Sequence, residues 1–501
     1  MEPMGTITKY YPFIDEETKT ILNSLMEESS SYYDFTQRLC KVVLENDGPI
    51  NLTYIAAVQA WWCRLEETMN QIQEKYKDEP CIRPWSYFLY SGIRDQAQSH
   101  DAVVESIEKA IDWPVDDWIV TELHLLHAFF HHPFGEVISL YEPLEKVKLL
   151  IAASPLLRCF ESLIYAFEGI AKTREGDVKD ALNVLQRGKA LAEEYDDLLY
   201  KYMNMLQEGI IRTNVHVHEA VSVFEELYDL AQDLEMPYFV AEILNDSSLV
   251  YETAGEFDLA ISSLHEIMKM LGDIRPSDTN WILLSRNYST LGDGHQSLKW
   301  INRGFEDNGQ FVGTLMLLWK AWALILVNLL DESDLILETA YPLVIKSGLE
   351  RYLGIYYHIS GVAELKKGDL LAALKLIEKA WAIAERNPAG TDQNRALLDL
   401  ARSEILLSNK SLESTKVVVP GKWLSKLEKH ALDRGLHGIQ MYAALLKSEL
   451  YQNHGQLKDA HATLQDALNI TDSLGVVTLR KKIAERIREL NQLIIESEST
   501  G

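Results

Sequence analysis

The chain is short of the residues that break or staple a fold. Its 501 residues include 4 cysteines, 14 prolines and 26 glycines, and no low-complexity run. Cys40, Cys63, Cys81 and Cys159 have no CxxC spacing, which argues against a disulfide framework or a zinc knuckle. A reducing, cytoplasmic setting is the expectation. Positive charge is also scarce: 48 basic residues against 75 acidic ones give a formal net charge of −27. A surface so acidic repels phosphate backbones, so no direct nucleic-acid ligand is expected. Met1 to Tyr11 lacks a basic stretch followed by an apolar run, so no secretory signal is expected. The most apolar stretch, Phe311 to Leu330, carries Lys320 and Asn328 as well as Trp319 and Trp322. It reads as a buried core helix, and no membrane span is expected.

Catalytic signatures are missing too. The sequence contains no GxxxxGK[ST] loop, no GxSxG, no HExxH and no EF-hand pattern. Neither enzyme activity nor a cofactor is therefore expected. One histidine group offers an alternative. His124, His127 and His131 stand at i, i+3 and i+7, with His132 adjacent and Asp116, Asp117 and Glu122 just upstream. Imidazoles on one helix face can hold a divalent metal. The plainer reading is a histidine-rich helix end before Pro133-Phe134-Gly135, where imidazoles complement the helix dipole. No motif fixes a ligand set, so no metal is assigned. His216 and His218 flank a hairpin turn and read as surface. The run Arg480, Lys481, Lys482, Arg486 and Arg488 is interleaved with Glu485 and Glu489, the pattern of a solvated helix face.

What is present is hydrophobic residue at helical spacing, 47% of the chain. Gly361 to Ala384 reads as two amphipathic helices around Lys-Lys-Gly-Asp. Gly368 suits the left-handed end of the first helix and Asp369 the cap of the second. Comparable turns fall at Gly176, Gly255, Gly292 and Gly455; Gly255 and Gly292 are 37 residues apart, and the wider gaps on either side span two units each. Weaker copies fill those gaps, one with Ala220, Phe224 and Leu227, another over Asp331 to Leu343. Five residues after each turn glycine comes a small side chain: Ala181, Ala260, Ser297, Ala373 and Ala460. Four further on comes a large one: Leu185, Leu264, Ile301, Ile377 and Leu464. Seven before the glycine lies another small residue: Gly169, Ser248, Ser285, Gly361 and Ser448. Small residues let two helices approach, and the large one fills the space between them. Tyr251, Tyr288 and Tyr451, four before their glycines, are expected to wedge between adjacent hairpins.

This pattern resembles the tetratricopeptide repeat, over about residues 82 to 490, with a period longer than the family's 34 residues. It is similar to the long-period repeats in the sensor regions of MalT-type regulators, although their ATPase and DNA-binding domains are not visible. The resemblance implies an all-α fold, an α-solenoid (superhelix) of antiparallel helix pairs. The organisation expected is an N-terminal helical cap over 1–80, a repeat array over 81–410, a joint over 411–425 around Lys416-Val-Val-Val-Pro420-Gly421, and a final repeat with a capping helix over 426–495. Carrying the family's concave positions over unit by unit gives Arg174, Asn245, Glu252, Arg286, His358 and Gln452 as groove contacts. The expected role is a non-catalytic scaffold that holds a protein or peptide segment, basic or amphipathic. The alternative is a module that senses a peptide or small ligand; a metal-dependent enzyme is the third reading. Trp300, Trp319, Trp322 and Trp381 are expected in the core. Trp85, Trp113, Trp118 and Trp423 lie near helix starts or turns, where an exposed one would anchor a partner. The adjacent Trp61 and Trp62 cannot share a helix face, so one is expected in the core and the other against a neighbour or partner.

Overall fold

In the computed structural model, the turn at 366–369 folds as its residues dictate. Gly368 takes φ +89°, a backbone open to glycine, and Asp369 Oδ1 accepts a hydrogen bond from the Ala372 amide at 3.0 Å. Gly292 and Gly455 repeat the left-handed turn with φ +81° and +73°. Asp293 and Asp177 repeat the cap on the amides of Gln296 and Asp180. Gly176 and Gly255 lie outside the described residues, which are 5–46, 48–90, 96–131, 137–175, 177–254, 256–271, 278–308, 313–386, 390–411, 421–433, 436–474 and 477–500. The joint expected around Lys416 to Pro420 also falls outside them.

The described residues form helices throughout, with no strand among them. The chain divides into two compact units, one of Met1–Ile211 with Ser222–Ile243, the other of Arg212–Val221 with Leu244–Gly501. The first unit holds α1 (Gly5–Thr8), α2 (Glu16–Glu28), α3 (Tyr32–Glu45), α4 (Ile50–Trp62), α5 (Glu66–Lys75), α6 (Arg83–Tyr90), α7 (Gln96–Ile111), α8 (Asp117–His131), α9 (Val137–Ala153), α10 (Glu161–Glu175), α11 (Val178–Glu194) and most of α12 (Leu198–Val215) and α13 (Val217–Asp233). Most of α14 (Pro237–Ala254) belongs to the second unit. There it is followed by α15 (Phe257–Leu271), α16 (Asp278–Thr290), α17 (Gly294–Asn308), α18 (Thr314–Leu326), α19 (Leu330–Ser347), α20 (Glu350–Lys367), α21 (Leu370–Arg386), α22 (Gly390–Ser411), α23 (Lys422–Asp433), α24 (His437–Asn453), α25 (Leu457–Leu474) and α26 (Val477–Thr500).

The small and large positions interlock. All five large residues and all five small residues that follow the turn are fully buried. A Cβ on Gly361 would sit 2.5 Å from Ile377 Cγ1, and one on Gly169 would sit 2.6 Å from Leu185 Cγ. Those glycines are therefore the space that the large residues fill, and each buried Leu or Ile contributes roughly 1.5–3 kcal/mol. In the α16–α17 pair, where both small residues are serines, the hydroxyls meet: Ser297 Oγ lies 2.8 Å from Ser285 Oγ and 2.7 Å from Ser289 Oγ. The three tyrosines are half-buried rather than buried, with the Tyr288 hydroxyl 3.5 Å from His265 Nε2. The weaker pair without a turn glycine uses Asn328, at φ +63°, between α18 and α19. Asparagine tolerates that region better than most residues. α18 is buried on nearly every side, with Trp319 among its buried residues. No helix among the described residues is long and apolar enough to cross a membrane.

In the second unit the run of pairs turns back on itself. Phe257 of α15 shares a core cluster with Met441, Leu464, Ile483 and Leu490, from α24, α25 and α26. Tyr442 Oη donates to the Thr290 carbonyl at 3.1 Å, and Lys482 Nζ donates to the Leu291 carbonyl at 2.9 Å. Lys482 thus departs from the solvated face expected of the basic run. Its neighbour Arg486 donates to the Gln452 side chain and, at 2.7 Å, to Glu489.

In the first unit α4 is buried from Leu52 to Trp62 without a break. A helix apolar all round must be surrounded, and both tryptophans are inside. Trp61 meets Trp85 and Phe129 edge to face, and Trp62 meets Phe239 in the same way. Neither is left to face a partner. Lys9, just after α1, reaches into this unit and pairs with Asp197 at 2.7 Å, each side chain 1% exposed.

Candidate functional site

The first helices of successive pairs in the second unit are α14, α16, α18, α20, α22 and α24, and side chains from them converge. Glu252 of α14 is the hub. Its Oε2 accepts from Arg286 of α16 at 2.8 Å (Nε), and its Oε1 accepts from Arg395 of α22. All three side chains are at most 15% exposed. Burial alone would raise the Glu252 carboxyl, but Arg286 and then Arg395 outweigh it and hold the group below the ordinary carboxylate value. The Arg395 guanidinium also lies 4.8 Å from the Trp319 ring of α18. One helix pair along, His358 Nε2 of α20 is 2.8 Å from Asp399 Oδ2 of α22, and Arg402 donates to Oδ1 at 2.6 Å. Asp399 is likewise depressed: burial opposes ionisation, but Arg402 and the His358 hydrogen bond prevail.

Small residues where helices meet, large ones between them, and first helices that adjoin along the run decide the architecture. The protein is a tetratricopeptide-like helix-pair array. No protein-family model matches the chain, and no curated protein matches it. Solved structures do. A Rap protein complexed with competence and sporulation factor aligns over 67% of this chain and 99% of its own, at 15% identity and a TM-score of 0.40. The human IFIT1 dimer with PPP-AAAA aligns over 81% of this chain and 88% of its own, at 14% identity and 0.43. A signal transduction ATPase with numerous domains and a tetratricopeptide repeat sensor, from Pyrococcus horikoshii, aligns over 80% of this chain and 56% of its own, at 13% identity and 0.44.

Five of the residues assigned to a concave groove have described side chains, all in the second unit of this array. Glu252, Arg286 and His358 belong to the two networks above. Asn245 Oδ1 accepts from Asn280 Nδ2 at 3.1 Å, and Gln452 accepts from Arg486. Each of these positions thus has a partner within the second unit, and Glu252 and Arg286 are bonded to each other. Arg174 lies in α10, in the first unit, and its side chain is outside the described ones.

Beside the networks is a cavity of about 460 Å³, counting its open mouth, lined by α18, α20, α21 and α22. Its walls are apolar, chiefly Ile355, Ile359, Ala380 and Ile383, and its polar groups are His358, Arg395 and the exposed Arg351. Gly354 keeps one wall low: a Cβ there would come within 3.1 Å of Ile383. Sequence reasoning picked His358 from this cavity but missed Arg351 and Arg395. The signal was an arginine in the first two turns of α20 and of α22, which is common on helices and selects nothing by itself.

The histidine group stays apart from this site's chemistry. His124 is buried in α8, and burial pushes its imidazole down to about 4. His127 is half-buried; the side chain of His131 and the whole of His132 are outside the described residues, as is the side chain of His218. Among the described residues no three His, Cys, Asp or Glu side chains gather as a metal site would need. The four cysteines are buried free thiols, and burial pushes those of Cys63, Cys81 and Cys159 up to about 12. Of the tryptophans near helix starts, Trp85, Trp118 and Trp423 are buried and Trp113 is 45% exposed.

Proposed function

We propose that the protein is a non-catalytic binding module that holds an amphipathic polypeptide segment of another protein at the cavity between α20 and α22. The observation that carries this reading is the cavity's make-up: aliphatic walls that take an apolar side chain, with Arg351, Arg395 and His358 as its polar groups. The side chains behind it are already bonded in ion pairs, so the lining is pre-ordered and little of the binding energy goes into arranging it. A net charge of −27 disfavours a nucleic-acid partner.

A photo-crosslinking amino acid at position 351, in the full chain, tests the reading. A discrete polypeptide captured there, whose synthetic segment binds the protein and binds the Arg351→Glu variant at least tenfold more weakly, supports it. A segment that binds both alike, or the absence of any crosslinked protein, contradicts it.

A second reading, a ligand-responsive regulator, is favoured by one bond. Arg395 lines the cavity and also bridges α22 to Glu252 on α14. A ligand carboxylate that claimed Arg395 would release Glu252 and loosen the point where distant pairs meet. Only a ligand that prefers the loosened state can shift it.

A further inference from the structure

The first unit has a cavity of its own. Its space is about 360 Å³ with the open solvent at its mouth included, and α4, α6, α8, α10 and α12 wall it. Aromatic rings dominate the wall. Trp61 stands edge to face with Trp62, Trp85 and Phe129, at centroid distances of 4.9, 5.4 and 5.5 Å. Phe129 continues to Phe167 at 6.2 Å. A single carboxylate lines this aromatic pocket, that of Glu122, whose residue is 3% exposed.

The charges around Glu122 do not balance. Its Oε1 accepts from the Tyr10 hydroxyl at 2.8 Å and from the Tyr200 hydroxyl at 3.4 Å, while its Oε2 has no hydrogen-bond partner. The cation that acts on it is Lys9, and Lys9 is committed to Asp197 at 2.7 Å, with its ammonium 3.5 Å from the Tyr200 ring centre. Two buried carboxylates thus share one ammonium. Burial pushes the Glu122 carboxyl up to about 7, against the pull of Lys9 and the Tyr10 hydrogen bond. A buried acid with an orphaned oxygen is costly unless something completes it. Beside this one stands a cluster of aromatic rings, whose electron-rich faces attract cations, and the Arg64 guanidinium lies 5.3 Å from the Trp61 ring centre.

We propose that this cavity binds a small organic cation, an ammonium or guanidinium group on a short apolar stem, with Glu122 as its counter-ion and Trp61, Trp62 and Trp85 as its π walls. The aromatic rings take the stem and part of the charge, and Glu122 takes the rest. Binding favours ionised Glu122, so affinity rises with pH through about 7. The other groups around Glu122 do not confuse that dependence. Tyr10, Tyr32, Tyr54 and Tyr200 are raised well above their ordinary values and stay neutral. Cys159, pushed up to about 12, and His124, down to about 4, are neutral from pH 6 to 8 as well. Lys9 and Asp197 are bonded to each other at 2.7 Å.

The test is calorimetric titration of the full chain with phenethylammonium chloride, and with 2-phenylethanol as its neutral counterpart. The ammonium binds at least tenfold more tightly than the alcohol, its affinity climbs severalfold from pH 6 to 8, and Glu122→Gln abolishes the preference. Should that variant misfold, the ammonium-to-alcohol ratio on the unaltered protein stands as the deciding measurement. Nα-acetyl-lysine methylamide separates two sources of the cation: its tighter binding assigns the cavity to a lysine side chain of a polypeptide, and tighter phenethylammonium to a free amine. Equal binding of ammonium and alcohol, or no binding of either amine at millimolar concentration, overturns the proposal.

Discussion

Removing the Glu252 carboxylate is the sharpest perturbation of the second unit. Glu252→Ala leaves Arg286 and Arg395, at most 15% exposed, without their shared counter-ion. Breaking a buried pair from one side costs about 3–5 kcal/mol, since a stranded charge remains desolvated. Arg395 keeps its place over Trp319, which puts the expected loss near the lower end, about 3 kcal/mol, or roughly a hundredfold in an opening equilibrium. A chain of two units need not unfold in one step, so a global midpoint is the wrong readout. Hydrogen exchange followed by mass spectrometry reads the opening of each helix separately. Protection in α14, α16 and α22 falls about a hundredfold at pH 7, while that in α3 and α4 is unchanged. The loss fades on acidification. The Glu252 carboxyl is depressed in the folded chain, so its contribution is present above the ordinary value of 4.5 and disappears as pH falls through the lower folded value. Replacing all three residues with apolar ones of similar size restores most of the protection. A loss under threefold at pH 7, or one spread equally over both units, refutes the argument.

Other expectations concern the repeat and the buried acid. Gly361→Val forces a side chain into the space of Ile377; overpacking costs about 1–3 kcal/mol, read as lost protection in α20 and α21. Asn328→Val costs about 1–2 kcal/mol in α18 and α19, because a β-branched residue fits the left-handed turn poorly, whereas Asn328→Gly leaves them as stable as before or slightly more so. The Glu122 carboxyl is raised from 4.5 to about 7, so its contribution to stability is complete below 4.5 and is lost as pH rises through 7. Exchange in α8 and α12 therefore speeds up between pH 5 and 8 after correction for intrinsic rates, by no more than about 3 kcal/mol, and Glu122→Gln flattens the trend.

Local rules explain how far the sequence could be read. The turn at Gly368, its Asp369 cap, and the pairing of Gly361 with Ile377 are all set by residues within one helix hairpin, so spacing reveals them. Asn328 hid one turn because a non-glycine residue took the left-handed position. The Glu252–Arg395 bridge joins residues 143 apart, and no periodicity encodes where a curved array returns to itself. Nor does it encode the partners that the polar residues assigned to a groove find, such as Asp399 for His358 and Arg486 for Gln452. Trp61 and Trp62 take different faces of α4, as adjacency on a helix requires, and both faces are interior: Trp61 meets Trp85 and Phe129, and Trp62 meets its neighbour Phe239. Glu122 stood in plain view within the apolar run Ile119 to Phe130, yet its meaning depends on the rings around it, which come from four other helices.

The measurement that tests the binding role most directly is the affinity of the segment crosslinked at position 351, compared between the unaltered chain and Arg351→Glu, with Lys41→Ala, at an exposed position of α3, as a control. The expected result is at least a tenfold loss for Arg351→Glu and none for Lys41→Ala. Equal affinity for all three proteins would contradict it.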